Sequence, residues 1–289
     1  MKRLLYSLEG NARKLDGGFV FGGAPRALWE RFSNPDPEHR VDIASRCLLV
    51  REPARWILFD TGFGAWFDPR RQKRLGAHDT AHTLLGGLRA LGLSHEDIDV
   101  VVLSHLQQGR AGGLLSAWTD AAAPSMLFPS ATLVVSQPAW HRAQRPHVRD
   151  RGWYLPELVD HLARHPRVER VPRGSHSATL GRAYSLHFCD GHSPGQMLTE
   201  IPGTLGPVVV ASDLVPGRAW VHRSITSGAD RFPELLIDEK IALLDDLAAR
   251  GGRLFFSADP ACAMARITRD ERGRYGSVSD RRILSGVEA

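Results

Sequence analysis

Cysteine is scarce in this sequence. Cys47, Cys189 and Cys262 are far apart and odd in number, which argues against a disulfide framework and a zinc site built on cysteine alone. Long apolar runs are missing too. No uninterrupted stretch approaches the roughly 20 residues needed to span a bilayer, so no membrane partner is expected. Positions 1–9 open with basic residues but hold no sustained apolar segment and no small-residue cleavage site. They are not expected to act as a signal peptide, and the cytoplasm is the expected location. There is no G-x-S-x-G elbow, and Ser104 and His105 are adjacent in sequence rather than brought together by folding. Ser-His-Asp hydrolysis is therefore set aside. Gly22-Gly23 alone does not make a dinucleotide fingerprint. No repeat, low-complexity tract or linker divides the 289 residues, so one domain, 1–289, is expected.

What is present is ordinary for a globular protein: 43% hydrophobic and 24% charged residues. The net charge of +5 comes mostly from arginine spread along the chain. The densest basic patch, 141–151, is flanked by Trp140, Trp153 and Tyr154. Basic and aromatic residues together can grip nucleic acid. No helix-turn-helix, zinc-finger or RNA-recognition signature accompanies them, so the patch reads as a solvated segment and no nucleic-acid partner is expected. A small molecule is the expected partner.

Short β-branched runs alternate with helical stretches. Strands are expected at 47–50, 56–59, 99–103, 132–135, 184–188, 208–211 and 253–256, and helices at 80–91 and 233–249. The last helix carries Leu236, Ile237, Ile241, Leu244, Leu247 and Ala248 on one stripe and stops at Gly251-Gly252. Many strands end in polar or Gly-rich loops: Asp60-Thr61-Gly62, Ser104-His105, Asp190-Gly191-His192 and Ser212-Asp213. Layered α/β proteins place their chemistry at such strand ends.

These loops, in this order, resemble those of the metallo-β-lactamase superfamily, particularly its lactonase-like hydrolases. Asp60-Thr61-Gly62 follows a strand as the family's D-T-G turn does. The run 104–113, Ser104-His105-Leu106-Gln107-Gln108-Gly109-Arg110-Ala111-Gly112-Gly113, lies where the family has S-H-L-H-x-D-H-A-G-G. Gly191-His192-Ser193-Pro194-Gly195-Gln196 is similar to its G-H-[ST]-P-G-H loop, Ala211-Ser212-Asp213 to its [AG]-D strand end, and Ser257-Ala258-Asp259-Pro260 to its x-H-D-P. The opening from Leu15-Asp16-Gly17-Gly18 to Trp29 also resembles a lactonase-type subgroup. The resemblance spans nearly the whole chain. It implies an α/β fold, a four-layer αββα sandwich with the site along one edge and segment 136–170 as a helical cap.

The resemblance implies seven metal-ligand positions: 105, 107, 109, 110, 192, 213 and 258. His105, His192 and Asp213 keep a ligand; Gln107, Gly109, Arg110 and Ala258 hold the others. The first metal of the family pattern would use 105, 107, 192 and 213, and the second 109, 110, 213 and 258. Glycine and alanine have no donor, and arginine stays protonated without a lone pair to offer. Two-metal hydrolysis is thus not expected. At most one metal ion is expected, zinc or iron, at His105, His192 and Asp213, and a metal-free protein is the other outcome.

Three functions follow. The first is hydrolysis of a small ester or lactone at one metal, with Gln107 and Arg110 orienting the substrate and Asp60 fixing the turn. The second is a mononuclear iron(II) oxygenase of the persulfide-dioxygenase type. The third is a non-catalytic relative that binds a small molecule or partner. Arg110 is expected to contact Asp213, which has lost its second cation. Gly112, Gly113 and Gly195 are expected to allow close backbone approach. His222 is a candidate for the cleft, and Trp153 and Trp220 for its walls. His39, His78, His82, His95, His161, His165 and His176 are expected at the surface, and His187 to pack in its strand.

Overall fold

A computed structural model describes residues 2–77 and 79–289; the expectation for His78 falls outside the described residues. Two sheets carry the architecture. The first has seven strands, and its centre runs through Arg46–Glu52, Arg55–Phe59, Val100–Leu103 and Thr132–Ser136. The second has six, with Gln196–Ile201, Val208–Val210 and Arg253–Phe255 at its centre. Arg55–Phe59, Val100–Leu103 and Thr132–Ser136 run parallel, and Val208–Val210 runs parallel to Arg253–Phe255.

The continuous apolar runs are explained by burial on both faces. Val100 and Val102 pack with Met197, Val208 and Phe255 between the two sheets. Their neighbours Val101 and Leu103 point the other way, into a second cluster with Leu84, Leu88, Trp140 and Leu158. Val209 and Leu254 do the same on the far sheet, against Leu236, Leu244 and Leu247 of the helix Pro233–Arg250. Helix, sheet, sheet and helix thus form four layers. That helix ends at Gly251, whose φ of 64° is the left-handed conformation expected of a glycine stop.

The expected helix at 80–91 is shorter, Thr83–Ala90. The expected strand 99–103 begins at Val100, and the Asp99 carboxylate just before it accepts the Trp56 N–H at 2.7 Å. Gln196–Ile201 was not anticipated as a strand. It buries Gln196 and Thr199 among apolar residues, and Gln196 is tolerated there because its amide donates to the Ala211 carbonyl at 3.0 Å.

Within 136–170, the helices Gln137–Gln144 and Pro156–Arg164 bury Ala139, Trp140, Leu158 and Leu162 against the first sheet. The turn Arg151–Trp153 between them reaches the cleft through Gly152 and Trp153. A two-stranded ribbon, Arg13–Asp16 paired with Arg40–Ile43, closes the opposite side. No helix among the described residues is long and apolar enough to cross a membrane.

Candidate functional site

The site is assembled at the ends of the central strands. Asp60 leaves its strand at a φ of 54° and Ser212 at 48°, conformations that cost a non-glycine residue roughly 1–3 kcal/mol unless held. They are held by each other's loops. The Asp60 carboxylate accepts the Ser104 N–H at 2.8 Å, the Ser104 hydroxyl at 3.0 Å and the Ser212 hydroxyl at 3.3 Å. Asp60 therefore fastens three strand ends and does not face the cleft. Burial pushes its carboxyl up to about 6, although the Arg110 charge opposes the rise.

Thr61 then anchors the next loop, its N–H donating to the Arg110 carbonyl at 2.7 Å. This packing explains Gly112 and Gly113. A Cβ on Gly113 would lie 2.0 Å from the Thr61 oxygen, and one on Gly112 2.1 Å from the Phe63 oxygen. Both glycines serve close backbone approach, and neither lies in a phosphate cradle. Gly195, at a φ of 79°, likewise sits against Ala139, whose backbone nitrogen would be 2.5 Å from an added Cβ.

Asp213 is the hub. Arg110 grips it with two N–H groups, Nε on Oδ2 at 2.9 Å and Nη2 on Oδ1. His105 Nε2 meets the same Oδ2 at 2.7 Å, and His192 Nε2 lies 3.7 Å away. Burial alone would raise the Asp213 carboxyl; the Arg110 charge, then that of His192, outweigh it and hold the group well below the usual carboxylate range. Burial pushes the His105 imidazole down to about 4 despite Asp213. Its Nδ1 accepts the Gln107 N–H at 3.2 Å, so the single ring proton sits on Nε2 and is donated to Asp213.

His192 is arranged differently. Its Nδ1 donates to Asp230 Oδ1 at 2.8 Å, and its Nε2 faces Gln107 Oε1 at 3.3 Å. Burial disfavours its charge, but Asp213 and Asp230 prevail and raise its pKa. Both ring nitrogens face oxygen acceptors, which suits a proton on each. The Gln107 Nε2 is buried without a partner.

This set can be tested against the metals that the sequence pattern implies. The second site fails on chemistry, since Gly109 and Ala258 have no donor and Arg110 brings a positive charge onto Asp213. At the first site His105, His192 and Asp213 present one ligand atom each, all within 4.8 Å of one another. Yet a metal there must strip the Nε2 proton from His105 and share an oxygen already taken by Arg110.

The cleft has a volume of about 520 Å³. Trp153 and Trp220 line it, as do Gln107, Arg110 and Ala258. His222 does not: it is exposed, with Nδ1 3.2 Å from the Ser224 hydroxyl. His187 is also exposed instead of packed, because its register puts it on the outer face beside Glu200 at 3.6 Å. His82 is buried rather than at the surface, with Nε2 3.1 Å from the Gly113 carbonyl. The remaining described histidines expected at the surface are exposed or half-buried.

Sequence reasoning missed two residues. Asp230 fixes His192 from 38 residues downstream, and no motif marks it. Arg13 enters from the ribbon, with its guanidinium 4.4 Å above the Phe63 ring. Burial, then the neighbouring Arg110 charge, lowers its pKa to about 10, so it remains a cation at neutral pH.

No protein-family description and no curated protein matches the chain. Solved structures do. A probable metal-dependent hydrolase from Staphylococcus aureus superposes with a TM-score of 0.84 at 20% identity, over 99% of this chain and 98% of that one. AidC, a dizinc quorum-quenching lactonase in complex with a product, gives 0.74 at 20% identity over 96% and 94%. AbOPH, a hydrolase in the β-lactamase superfamily, gives 0.74 at 16% identity over 96% and 94%. Together with the two-sheet, four-layer core, these matches identify the fold of this chain as the metallo-β-lactamase αββα sandwich.

Proposed function

We propose that this chain binds a small molecule in its cleft without a metal ion, on a hydrolase scaffold whose dinuclear centre has given way to the Arg110–Asp213 pair. One observation carries the reading. The carboxylate that would bridge two metals accepts two N–H groups from Arg110 and one from His105. A guanidinium supplies fixed positive charge and two parallel donors, so the half-buried carboxylate stays paired with no ion present.

A second reading is favoured by the convergence of His105, His192 and Asp213 within 4.8 Å. Here one ion, zinc or iron, is held by those three side chains, and the substrate is a small ester or lactone. The ion would polarise a carbonyl or activate water. Gln107, whose Nε2 has no partner, would donate to the substrate oxygen, and Asp60 would hold the loops in place. An iron(II) oxygenase would use the same three ligands.

Elemental analysis after loading with excess zinc or iron(II) and exhaustive desalting tests these readings. It is paired with ester, lactone and oxygen-consumption assays. No retained metal and no turnover are expected. One retained equivalent, with hydrolysis lost in His192→Ala, would select the mononuclear hydrolase instead. Oxygen consumption with iron(II) would select the oxygenase. Two retained equivalents would overturn all three.

A further inference from the structure

The cleft carries an unbalanced charge. Six cationic side chains line it, Arg13, Lys14, Arg40, Lys73, Arg74 and Arg110, against the carboxylates of Asp16 and Asp213. Lys14 is paired with Asp42 at 2.9 Å, and Arg40 with Asp36 and Glu38. Asp213 is committed to Arg110. Arg13 has no hydrogen bond or ion pair from its guanidinium among the described residues, and its Nε is buried without a partner. Gly109, beside it, offers no side-chain acceptor; a Cβ there would lie 3.4 Å from Arg13 Nη2.

A half-buried guanidinium that faces a second guanidinium, rests on the Phe63 ring and has its Nε buried without an acceptor is under-satisfied. An anion placed between them would relieve that deficit. Arg110 also has donor capacity left, since only its Nε and Nη2 are engaged by Asp213 and Nη1 makes no hydrogen bond among the described residues. The walls around this cationic floor are apolar: Leu15, Phe19, Val20, Ile43, Trp153 and Trp220.

We propose that the cleft is a site for a small organic acid, with the carboxylate received by Arg13 and Arg110 and the apolar body lying against Phe19, Val20, Trp153 and Trp220. Two features select this class. The Arg110–Asp213 and His192–Asp230 pairs are each neutral overall, and Lys73 and Arg74 are exposed at the rim, so Arg13 leaves one positive charge on the floor, which matches a monoanion better than a phosphate dianion. The cleft volume of about 520 Å³ lies in the range of small-molecule sites and exceeds what an inorganic ion fills. The inference rests on the metal-free reading, because a metal on Asp213 would displace Arg110 and supply its own anion site.

The test is calorimetric titration with straight-chain carboxylates from butanoate to decanoate, each beside its primary amide, and with inorganic phosphate. The protein used is first shown free of zinc and iron by elemental analysis. At least one carboxylate should bind at 1:1 stoichiometry, about tenfold or more tighter than its amide and than phosphate, as expected for charge-assisted hydrogen bonds. Arg13→Leu should lose about tenfold or more in carboxylate affinity while the ligand-free Tm changes little, since the guanidinium gives up no hydrogen bond or ion pair and only its place over the Phe63 ring, where leucine still packs. If Arg13→Leu does not fold, Arg13→Lys should weaken carboxylate binding and keep the preference over the amide. Amides binding as tightly as acids, phosphate binding more tightly, or Arg13→Leu or Arg13→Lys binding unchanged would overturn the proposal. So would the absence of binding across the whole series in metal-free protein, which leaves the metal-free reading standing. Zinc that survives desalting would overturn that reading itself.

Discussion

Replacing Arg110 with glutamine removes the guanidinium and leaves Asp213 to His105 and His192. Breaking a buried ion pair by deleting one partner costs about 3–5 kcal/mol. Two features reduce that here: the Asp213 side chain is 21% exposed to the cleft, and His105 still donates to it at 2.7 Å. A loss of about 2–3 kcal/mol is the reasonable expectation. With an unfolding entropy near 2.1 cal/mol/K per residue, the whole chain carries about 0.6 kcal/mol per kelvin, so Tm should fall by about 3–5 °C. The sign with pH follows from the carboxyl. A group depressed in the folded state contributes stability above its unfolded value, near 3.9, and loses it as pH falls through the folded value. The gap between the two proteins should therefore be full at neutral pH and close in acid. Arg110→Gln should also take up more zinc, because both Asp213 oxygens are released from the guanidinium. Calorimetry of Arg110→Gln, Asp213→Asn and the double variant measures the pair directly, and the double variant should recover most of the loss. An Arg110→Gln protein with unchanged Tm and unchanged zinc uptake would refute this account of the site.

Asp60 and His105 should oppose each other in mild acid. A carboxyl raised from 3.8 to about 6 makes stability fall as pH rises across that interval, whereas an imidazole lowered from 6.5 to about 4 makes it fall as pH drops. Asp60→Asn should therefore unmask a steeper loss on acidification between about pH 6 and 4, approaching 3 kcal/mol by urea denaturation; an unchanged pH profile would contradict the buried-carboxylate picture. Gln107→His combined with Gly109→Asp, Arg110→His and Ala258→His should raise retained zinc to two equivalents by elemental analysis, and failure to exceed one would show that more than side-chain donors is missing. Gly113→Ala should be among the most destabilising small substitutions, several kcal/mol at about the upper end of point mutants, because the new methyl meets the Thr61 carbonyl; a normal melting curve would show that the loop can yield. The basic-aromatic stretch should not bind single-stranded DNA at micromolar levels: Arg142 is already spent on Asp150 at 3.0 Å. Salt-sensitive binding abolished by Arg142→Ala with Arg145→Ala would contradict this.

The strands and the strand-end motifs were legible because local pattern encodes them. Val100–Leu103 had to be buried on both faces, and His105, His192 and Asp213 lie in loops whose neighbours form a recognisable order. The losses at 109, 110 and 258 could be read directly, since a side chain without a lone pair cannot ligate in any fold, and Gln107 keeps only a weak amide oxygen in place of an imidazole. The Arg110–Asp213 contact could also be anticipated, since a carboxylate that has lost its cation needs another, and the two loops 103 residues apart do meet there. The rest of what those losses left behind could not be read. Asp230 reaches His192 only because the segment before Pro233–Arg250 folds back over the Gly191 loop, where Phe232 N–H donates to the Gly191 carbonyl at 2.7 Å. Arg13 sits on a ribbon with no motif, and only the pairing of Arg13–Asp16 with Arg40–Ile43 carries it to the cleft floor. His82 and His222 were misjudged for the same reason: a polar stretch of sequence says nothing about which backbone will be opposite. Donor chemistry belongs to the residue and can be read from one position at a time; charge balance, tautomer and burial belong to the neighbours, and only tertiary packing chooses those.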